Sequence, residues 1–86
     1  MNSEKKLRDI VPYELTKTPV SQIVGNRELT VEGSKGIEEY TEISIKVKTS
    51  DGLVCAYGTG LNIKLLSTSA VIVEGLINRI EFEEWR

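Results

Sequence analysis

The sequence predicts an all-β domain: a small antiparallel β-sandwich, or a partly closed barrel, of about seven short strands behind a flexible N-terminal arm. Between Leu53 and Ile77, apolar and polar residues alternate with a period of two, and glycines or small polar residues interrupt them at short intervals. This pattern is typical of short antiparallel strands with one buried face. No strong helical pattern follows Pro12. The length of 86 residues suits one domain with a single core.

The first part of the chain differs from the rest. Residues 1–20 contain both prolines, Pro12 and Pro19, and seven charged side chains. Pro12 would end any short helix before it, because the residue preceding a proline is pushed out of the helical region. We therefore interpret residues 1–20 as a flexible arm. Residues 21–86 are predicted to form the single β-domain.

The following strands are separated by recognisable turn residues. Gly25-Asn26 is a turn signal, and Gly33 to Gly36 interrupts the next strand. From Ile43 to Lys48 the residues alternate strictly between apolar and polar, which indicates a half-buried strand with Ile43 pointing inward. Ser50-Asp51-Gly52 then predicts a tight hairpin, because Asp-Gly suits the positive φ angles of such turns.

The strand after this hairpin is apolar on both faces. Leu53, Cys55 and Tyr57 share one face, and Val54 and Ala56 share the other. Such a strand is typical of the centre of a sheet. Two interpretations of the Leu53 face remain open: it packs against a second sheet, or it contacts another chain.

The alternation changes parity near the C-terminus. Beyond the turn at residues 67–69, the inward positions continue to Ile77, but the next apolar residues are Ile80 and Phe82. One extra residue near Asn78-Arg79 would return both to the buried face. The sequence therefore predicts a β-bulge, or a bend between sheets, at this point.

Residue chemistry offers no catalytic set. The chain has no His and a single Cys, so neither a Ser–His or Cys–His pair nor a transition-metal ligand set can form. In each of the adjacent pairs Glu38-Glu39 and Glu83-Glu84, the two carboxylates point to opposite faces of the strand, so neither pair converges on a site. We expect no enzymatic activity, no cofactor and no metal site, and we interpret Cys55 as a buried small hydrophobe.

Charge argues against a dedicated nucleic-acid surface. The net charge is −2 and both signs are interspersed, whereas nucleic-acid binding needs a basic stripe. The alternative hypothesis is a small nucleic-acid-binding β-barrel, in which exposed aromatics stack on bases beside basic groups. Its candidate residues are Tyr40, Tyr57, Lys46, Lys48 and Lys64.

Hydropathy and cysteine usage bear on localisation. No apolar run approaches the roughly 18–20 residues of a membrane span. The charged residues 1–10 lack the apolar segment of a secretory signal. A lone Cys suits a reducing compartment. We therefore expect a cytoplasmic protein without a membrane span.

Apolar residues exceed what one small core needs. The candidate protein-contact residues are Leu53, Tyr57, Leu76 and Trp85. Surplus apolar surface, together with the unpaired edges of a small sheet, predicts docking onto a protein partner or onto a second copy of the chain.

An ordered series of short motifs covers about residues 19–84. In chain order, the motifs are Ile23-Val24-Gly25-Asn26, Leu29-Thr30-Val31-Glu32, Lys35-Gly36-Ile37, Glu39-Tyr40, Ile45 to Thr49, Gly52, Gly58, Leu61-Asn62-Ile63-Lys64 and Glu74-Gly75-Leu76-Ile77. The series resembles the YabP/YqfC family of sporulation proteins. It is most similar to the YqfC-like branch, whose proline-rich lead-in before a turn resembles Pro19 to Asn26.

The resemblance implies a small β-sandwich-like domain made during sporulation in endospore-forming bacteria. No enzymatic activity is established for this family, so the resemblance implies no catalytic residues to carry over. For the YqfC-like branch it implies the mother-cell cytoplasm and an association with the developing spore envelope or coat. The expectation that follows is a structural or assembly factor acting through protein–protein contacts. Its partners would be proteins of the sporulation machinery or spore coat.

Overall fold

Six β-strands make up the regular structure of residues 18–84, the part of the chain that the computed structural model describes. The strands are β1 (Val20–Val24), β2 (Glu28–Glu32), β3 (Ser34–Tyr40), β4 (Ser44–Thr49), β5 (Gly52–Leu66) and β6 (Ala70–Glu84). The predicted antiparallel all-β class is confirmed. The count is six rather than about seven, because the runs on either side of Gly58 belong to one long strand, β5. The runs on either side of Asn78 likewise belong to β6.

All six strands belong to one hydrogen-bonded sheet in the order β1-β2-β6-β5-β4-β3, and every neighbouring pair is antiparallel. The predicted small antiparallel fold thus takes the form of one six-strand open sheet, rather than two separate sheets, with β1 and β3 at its edges. The reason lies in β5 and β6, which have 15 residues each. Both strands run through both halves of the sheet, since β2 pairs with residues 70–74 of β6 and β4 pairs with residues 52–57 of β5.

One apolar core joins the two halves of this sheet. Leu29 and Val31 of β2 and Ile45 and Val47 of β4 have no exposed surface and belong to the same cluster. In a flat sheet, β2 and β4 would lie about 14 Å apart, and their apolar face would be open to water. Complete burial therefore requires that the sheet bends and that its halves cover each other.

Irregular pairing between β5 and β6 allows this bend. The register of this pair shifts at three places, and the first shift leaves Asn78 without a partner between Arg79 and Ile77. The β-bulge predicted from the change in parity is thus confirmed. At Gly75, φ is 135°, and a Cβ atom would lie 2.7 Å from the carbonyl oxygen of Gly60. Only glycine allows the two backbones to approach so closely there.

The predicted hairpin at Ser50-Asp51-Gly52 is present. Thr49 pairs with Gly52 across a two-residue turn. The Thr49 hydroxyl donates to the Gly52 carbonyl at 2.9 Å and accepts from the Asp51 N–H at 3.1 Å. These two bonds satisfy backbone groups that the turn would otherwise leave unpaired.

Two residues that the alternation assigned to the core, Ile43 and Phe82, are exposed, and so is Leu65, which continues the apolar alternation of Leu61 and Ile63. Ile43 lies in the bend before β4 rather than in the strand. Leu65 follows a register shift after Ile63, which changes the face on which it lies. Phe82 does lie on the core side but borders an open cleft. The predicted arm falls mostly outside the described residues, and β1 begins inside its predicted boundary, at Val20.

Candidate protein-contact surface

The face of β4, β5 and β6 opposite the core is called here the outer face. Val54 and Ala56 belong to the core cluster, so the alternate residues Leu53, Cys55 and Tyr57 lie on the outer face. β5 is a central strand between β4 and β6, as predicted. The described residues form a single sheet, and none of its strands forms a second layer over this face.

Charges of both signs surround these three residues on the outer face. One row across the sheet consists of Glu39, Lys46, Cys55 and Glu81, in that order. Each of these residues pairs with the next one on the neighbouring strand. In the next row, Leu53 lies half-buried between Lys48 and Glu83. Opposite charges on neighbouring strands support cross-strand pairing. The face is therefore a mixed lattice of charges around half-buried apolar side chains.

Cys55 is completely buried although it lies on the outer face, and it is not a member of the core cluster. Its burial, predicted from the sequence, is confirmed. Burial raises the pKa of the Cys55 thiol, and the nearby negative charge of Glu83 raises it further. The thiol is therefore protonated at neutral pH and is a weak nucleophile.

Tyr57 is half-buried and lies beneath an arginine. The guanidinium carbon of Arg79 is 4.4 Å from the centroid of the Tyr57 ring, and Arg79 is also the cross-strand partner of Tyr57. The Arg79 Nε atom lies 3.2 Å from a Glu81 carboxylate oxygen and forms a salt bridge with it. Burial raises the pKa of the Tyr57 hydroxyl, so the hydroxyl stays neutral and can donate a hydrogen bond.

Leu76 lies one row farther along the outer face. It pairs with Thr59, next to the row formed by Tyr57 and Arg79, and 40% of it is exposed. The structure thus brings Leu53, Tyr57 and Leu76 to one face of the sheet. The fourth predicted contact residue, Trp85, lies outside the described residues.

An exposed aromatic residue on the core side was not expected from the sequence. Phe82 is 69% exposed and borders an open cleft of about 570 Å³. Pro19, just before β1, and Ser21 of β1 line one part of this cleft, and the β4–β5 turn lines another. Strand alternation identifies the side on which Phe82 lies, but only the bend of the sheet determines whether anything covers it.

The tyrosines and lysines of the nucleic-acid hypothesis have acidic or backbone neighbours. Lys64 donates to a Glu28 carboxylate oxygen at 2.9 Å, and this bond raises the pKa of Lys64. The pKa of Lys46 is raised by Tyr57 and then by Glu39 and Glu83. The Tyr40 hydroxyl accepts the backbone N–H of Ile63 at 3.3 Å. Glu81 and Glu83 share the outer face with Lys46 and Tyr57, so this face is not a basic stripe.

Two absences are found within residues 18–84. No group of three or more Cys, Asp or Glu side chains in this part of the chain is arranged to hold a metal ion. The same residues contain no helix long and apolar enough to cross a bilayer.

The fold and the outer face together define a small all-β domain, built on one bent antiparallel sheet that presents a candidate contact surface. The sequence model of the YabP family matches residues 17–86, and the protein belongs to this sporulation-associated family. The predicted membership in the YabP/YqfC family is confirmed, whereas assignment to the YqfC-like branch stays a prediction. No curated protein matches the chain.

Proposed function

We propose that the protein is a non-enzymatic assembly factor in spore envelope or coat formation, acting in the mother-cell cytoplasm by binding other proteins through its outer face. The observation that carries this proposal is the grouping of Leu53, Tyr57 and Leu76 on a face that no second layer of described residues covers. Membership in a sporulation-associated family supports the biological process.

The composition of the outer face suits protein binding. Aromatic residues and arginine are enriched among the residues that carry most of the binding energy at interfaces. Tyr57 lies against Arg79, and Arg79 forms an exposed salt bridge with Glu81. Side chains that are ordered before binding lose less conformational entropy in the complex. Tyr57 and Arg79 are therefore suited to be the central contact, with Leu53 and Leu76 beside them.

The non-enzymatic part of the proposal is supported by residue chemistry. The sequence has no His, the residue most often used as a general base. The single thiol, Cys55, has a raised pKa and is buried. A protonated, buried thiol is inert rather than catalytic.

The contact surface can be tested with one charge at one exposed position. Leu76→Glu places a carboxylate next to the cross-strand pair of Tyr57 and Arg79. We expect this charge to prevent partner binding without unfolding the sheet. Leu65→Glu is the matched control, since Leu65 is also an exposed leucine, and it pairs with Ile72 on the same face but lies at the far end of β5, away from Tyr57 and Leu76. Each variant would replace the wild-type gene in the sporulating host. Spore yield, heat resistance and the proteins that co-purify would then be measured.

The expected result is a sporulation defect and loss of co-purifying coat or envelope proteins with Leu76→Glu but not with Leu65→Glu. Normal spores from a strain lacking the gene would contradict the sporulation role. Equal effects of the two substitutions, with both proteins folded, would contradict the assignment of the contact to the part of the outer face around Tyr57 and Leu76.

A further inference from the structure

The two edges of the sheet differ in how they are protected. β3 carries Lys35, Glu38 and Glu39, and its pairing with β4 shifts register twice. Edge strands avoid pairing with other chains by such charges and irregularities. β1 has neither, because Val20–Val24 contains no charged residue and its five residues pair regularly with β2. Among the described residues, β1 is therefore the unprotected edge.

The side chains of β1 are also left uncovered. All five are exposed, and Ile23 is 54% exposed. Ser21 pairs with Val31 and Ile23 pairs with Leu29, and both partners are buried core residues. Ser21 and Ile23 therefore lie on the core side of the sheet, and Ser21 lines the cleft that Phe82 borders. The core side of this edge therefore reaches the cleft at Ser21.

We propose that β1 pairs antiparallel with β1 of a second copy of the chain, with Gln22 of each copy opposite the other. This inference goes beyond the proposed function, because it concerns self-association through a different surface. Of the antiparallel registers, the one centred on Gln22 pairs all five residues of β1. In this register Val20 lies opposite Val24 of the second copy, and Ser21 lies opposite Ile23.

Two features of the chain favour a second copy over another occupant. Because β1 contains no charged residue, it has no electrostatic preference for a partner of either charge. The charged, irregular β3 edge is a poor acceptor, so head-to-tail addition of β1 onto β3 is disfavoured. Pairing β1 with itself makes a two-fold contact that closes after two copies, the commonest symmetry of oligomers. It also brings Ile23 of the second copy beside Ser21 and the cleft.

The interface is small, since only five residues of each copy pair. Contacts of this size fall below roughly 1,200 Å² and belong to weak, transient complexes. Self-association is therefore measured by analytical ultracentrifugation on the full chain, up to a concentration of about 1 mM, where a millimolar dissociation constant is still detected. A chain that stays monomeric over this range would overturn the proposal.

Charge at the two-fold axis tests the register directly. Gln22→Lys places two ammonium groups opposite each other, and Gln22→Glu does the same with two carboxylates. Each variant alone is expected to dimerise at least about five-fold more weakly than the wild type. An equimolar mixture of the two places opposite charges together and is expected to recover dimerisation. Failure of the mixture to recover would overturn the proposed register.

Two control substitutions separate this contact from other effects of charge. Thr68→Lys makes the same change of charge in the turn between β5 and β6 and is expected to leave dimerisation unchanged. Glu38→Lys alters the β3 edge and is also expected to have no effect. Weakening by Glu38→Lys would indicate head-to-tail pairing and would overturn the two-fold model. Circular dichroism confirms that each variant is folded.

A covalent cross-link gives a second readout. Residues directly opposite each other in an antiparallel pair have Cβ atoms about 4.5–5.5 Å apart, within reach of a disulfide after small adjustment. Gln22→Cys, with Cys55 changed to Ser, is expected to form a covalent dimer under mild oxidation, as the two thiols lose two electrons and two protons to the added oxidant. Ser21→Cys in the same background is the register control. Preferential cross-linking at Ser21→Cys would overturn the assignment of Gln22 to the axis.

Discussion

The guanidinium of Arg79 lies over the ring of Tyr57, with 4.4 Å between the guanidinium carbon and the ring centroid. The two residues are direct cross-strand partners at the last regular pair of β5 and β6 before the bulge at Asn78. This contact therefore joins the candidate contact surface to the point where the sheet begins to bend. A cation over an aromatic face is attracted by the quadrupole of the ring.

The Tyr57–Arg79 contact is expected to stabilise the fold by about 0.5–1 kcal/mol, the range for exposed cation–π pairs. A double-mutant cycle with Tyr57→Leu and Arg79→Met, measured by urea unfolding, isolates this coupling free energy. The control cycle combines Arg79→Met with Leu53→Ala, four pairs farther along β5, and should be additive. Additivity in the Tyr57–Arg79 cycle would show that the two groups do not interact in solution.

Replacing Gly75 with alanine is expected to destabilise the protein by about 3 kcal/mol or more. Backbone strain at its positive φ costs about 1–3 kcal/mol. The clash of the new Cβ with the Gly60 carbonyl oxygen adds a similar amount. Gly25→Ala is the matched control, because Gly25 also has a positive φ but has nothing within 4 Å of the added atom. The free energies of unfolding should differ clearly, and equal losses would contradict the close approach at the bend.

Alkaline pH is expected to lower the stability of the protein. The pKa values of Cys55, Tyr57, Lys46 and Lys64 are all raised in the folded chain. The folded state therefore holds these protons more tightly than the unfolded state, so stability is complete below the unfolded pKa values and falls as pH rises through the folded ones. The fall should begin near pH 9, close to the ordinary pKa of 9.0 for the first group to titrate, Cys55.

The measurement for this pH dependence is the urea midpoint followed from pH 7 upward. Lys64→Gln removes one of the four groups together with its bond to Glu28, so its midpoint should fall less steeply at high pH. A midpoint that stays constant or rises above pH 9 would contradict the direction of these shifts.

We expect no salt-sensitive binding of single-stranded DNA or RNA to the protein. Lys64 is paired with Glu28, and Lys46 lies near Glu39 and Glu83. Few cations are thus available to displace counterions, which is the main source of nucleic-acid affinity. Filter binding at low and moderate salt measures this. Binding that weakens steeply with added salt, and that is lost in Lys46→Gln, would instead favour the nucleic-acid-binding hypothesis.

Local patterns were sufficient where neighbouring residues alone set the structure. The Asp51-Gly52 hairpin depends on turn geometry, and the bulge at Asn78 follows from the spacing of Ile77 and Ile80. The patterns failed where a glycine is compatible both with a turn and with a continuous strand. Gly58 interrupts an apolar run, which usually indicates a turn between short strands. In this chain it lies inside one continuous strand at a shift of register.

The amino-acid sequence by itself determined the all-β class, the central position of the Leu53–Tyr57 strand and membership in the YabP family. It could do so because the period of two and the order of motifs are local properties of the chain. Only the tertiary structure decided that the strands form one bent sheet and that Leu76 shares the outer face with Tyr57. It also decided that Phe82 is exposed and that β1, unlike β3, is an unprotected edge. Each of these depends on which distant strands pair and how far the sheet bends, and no short stretch of residues encodes that information.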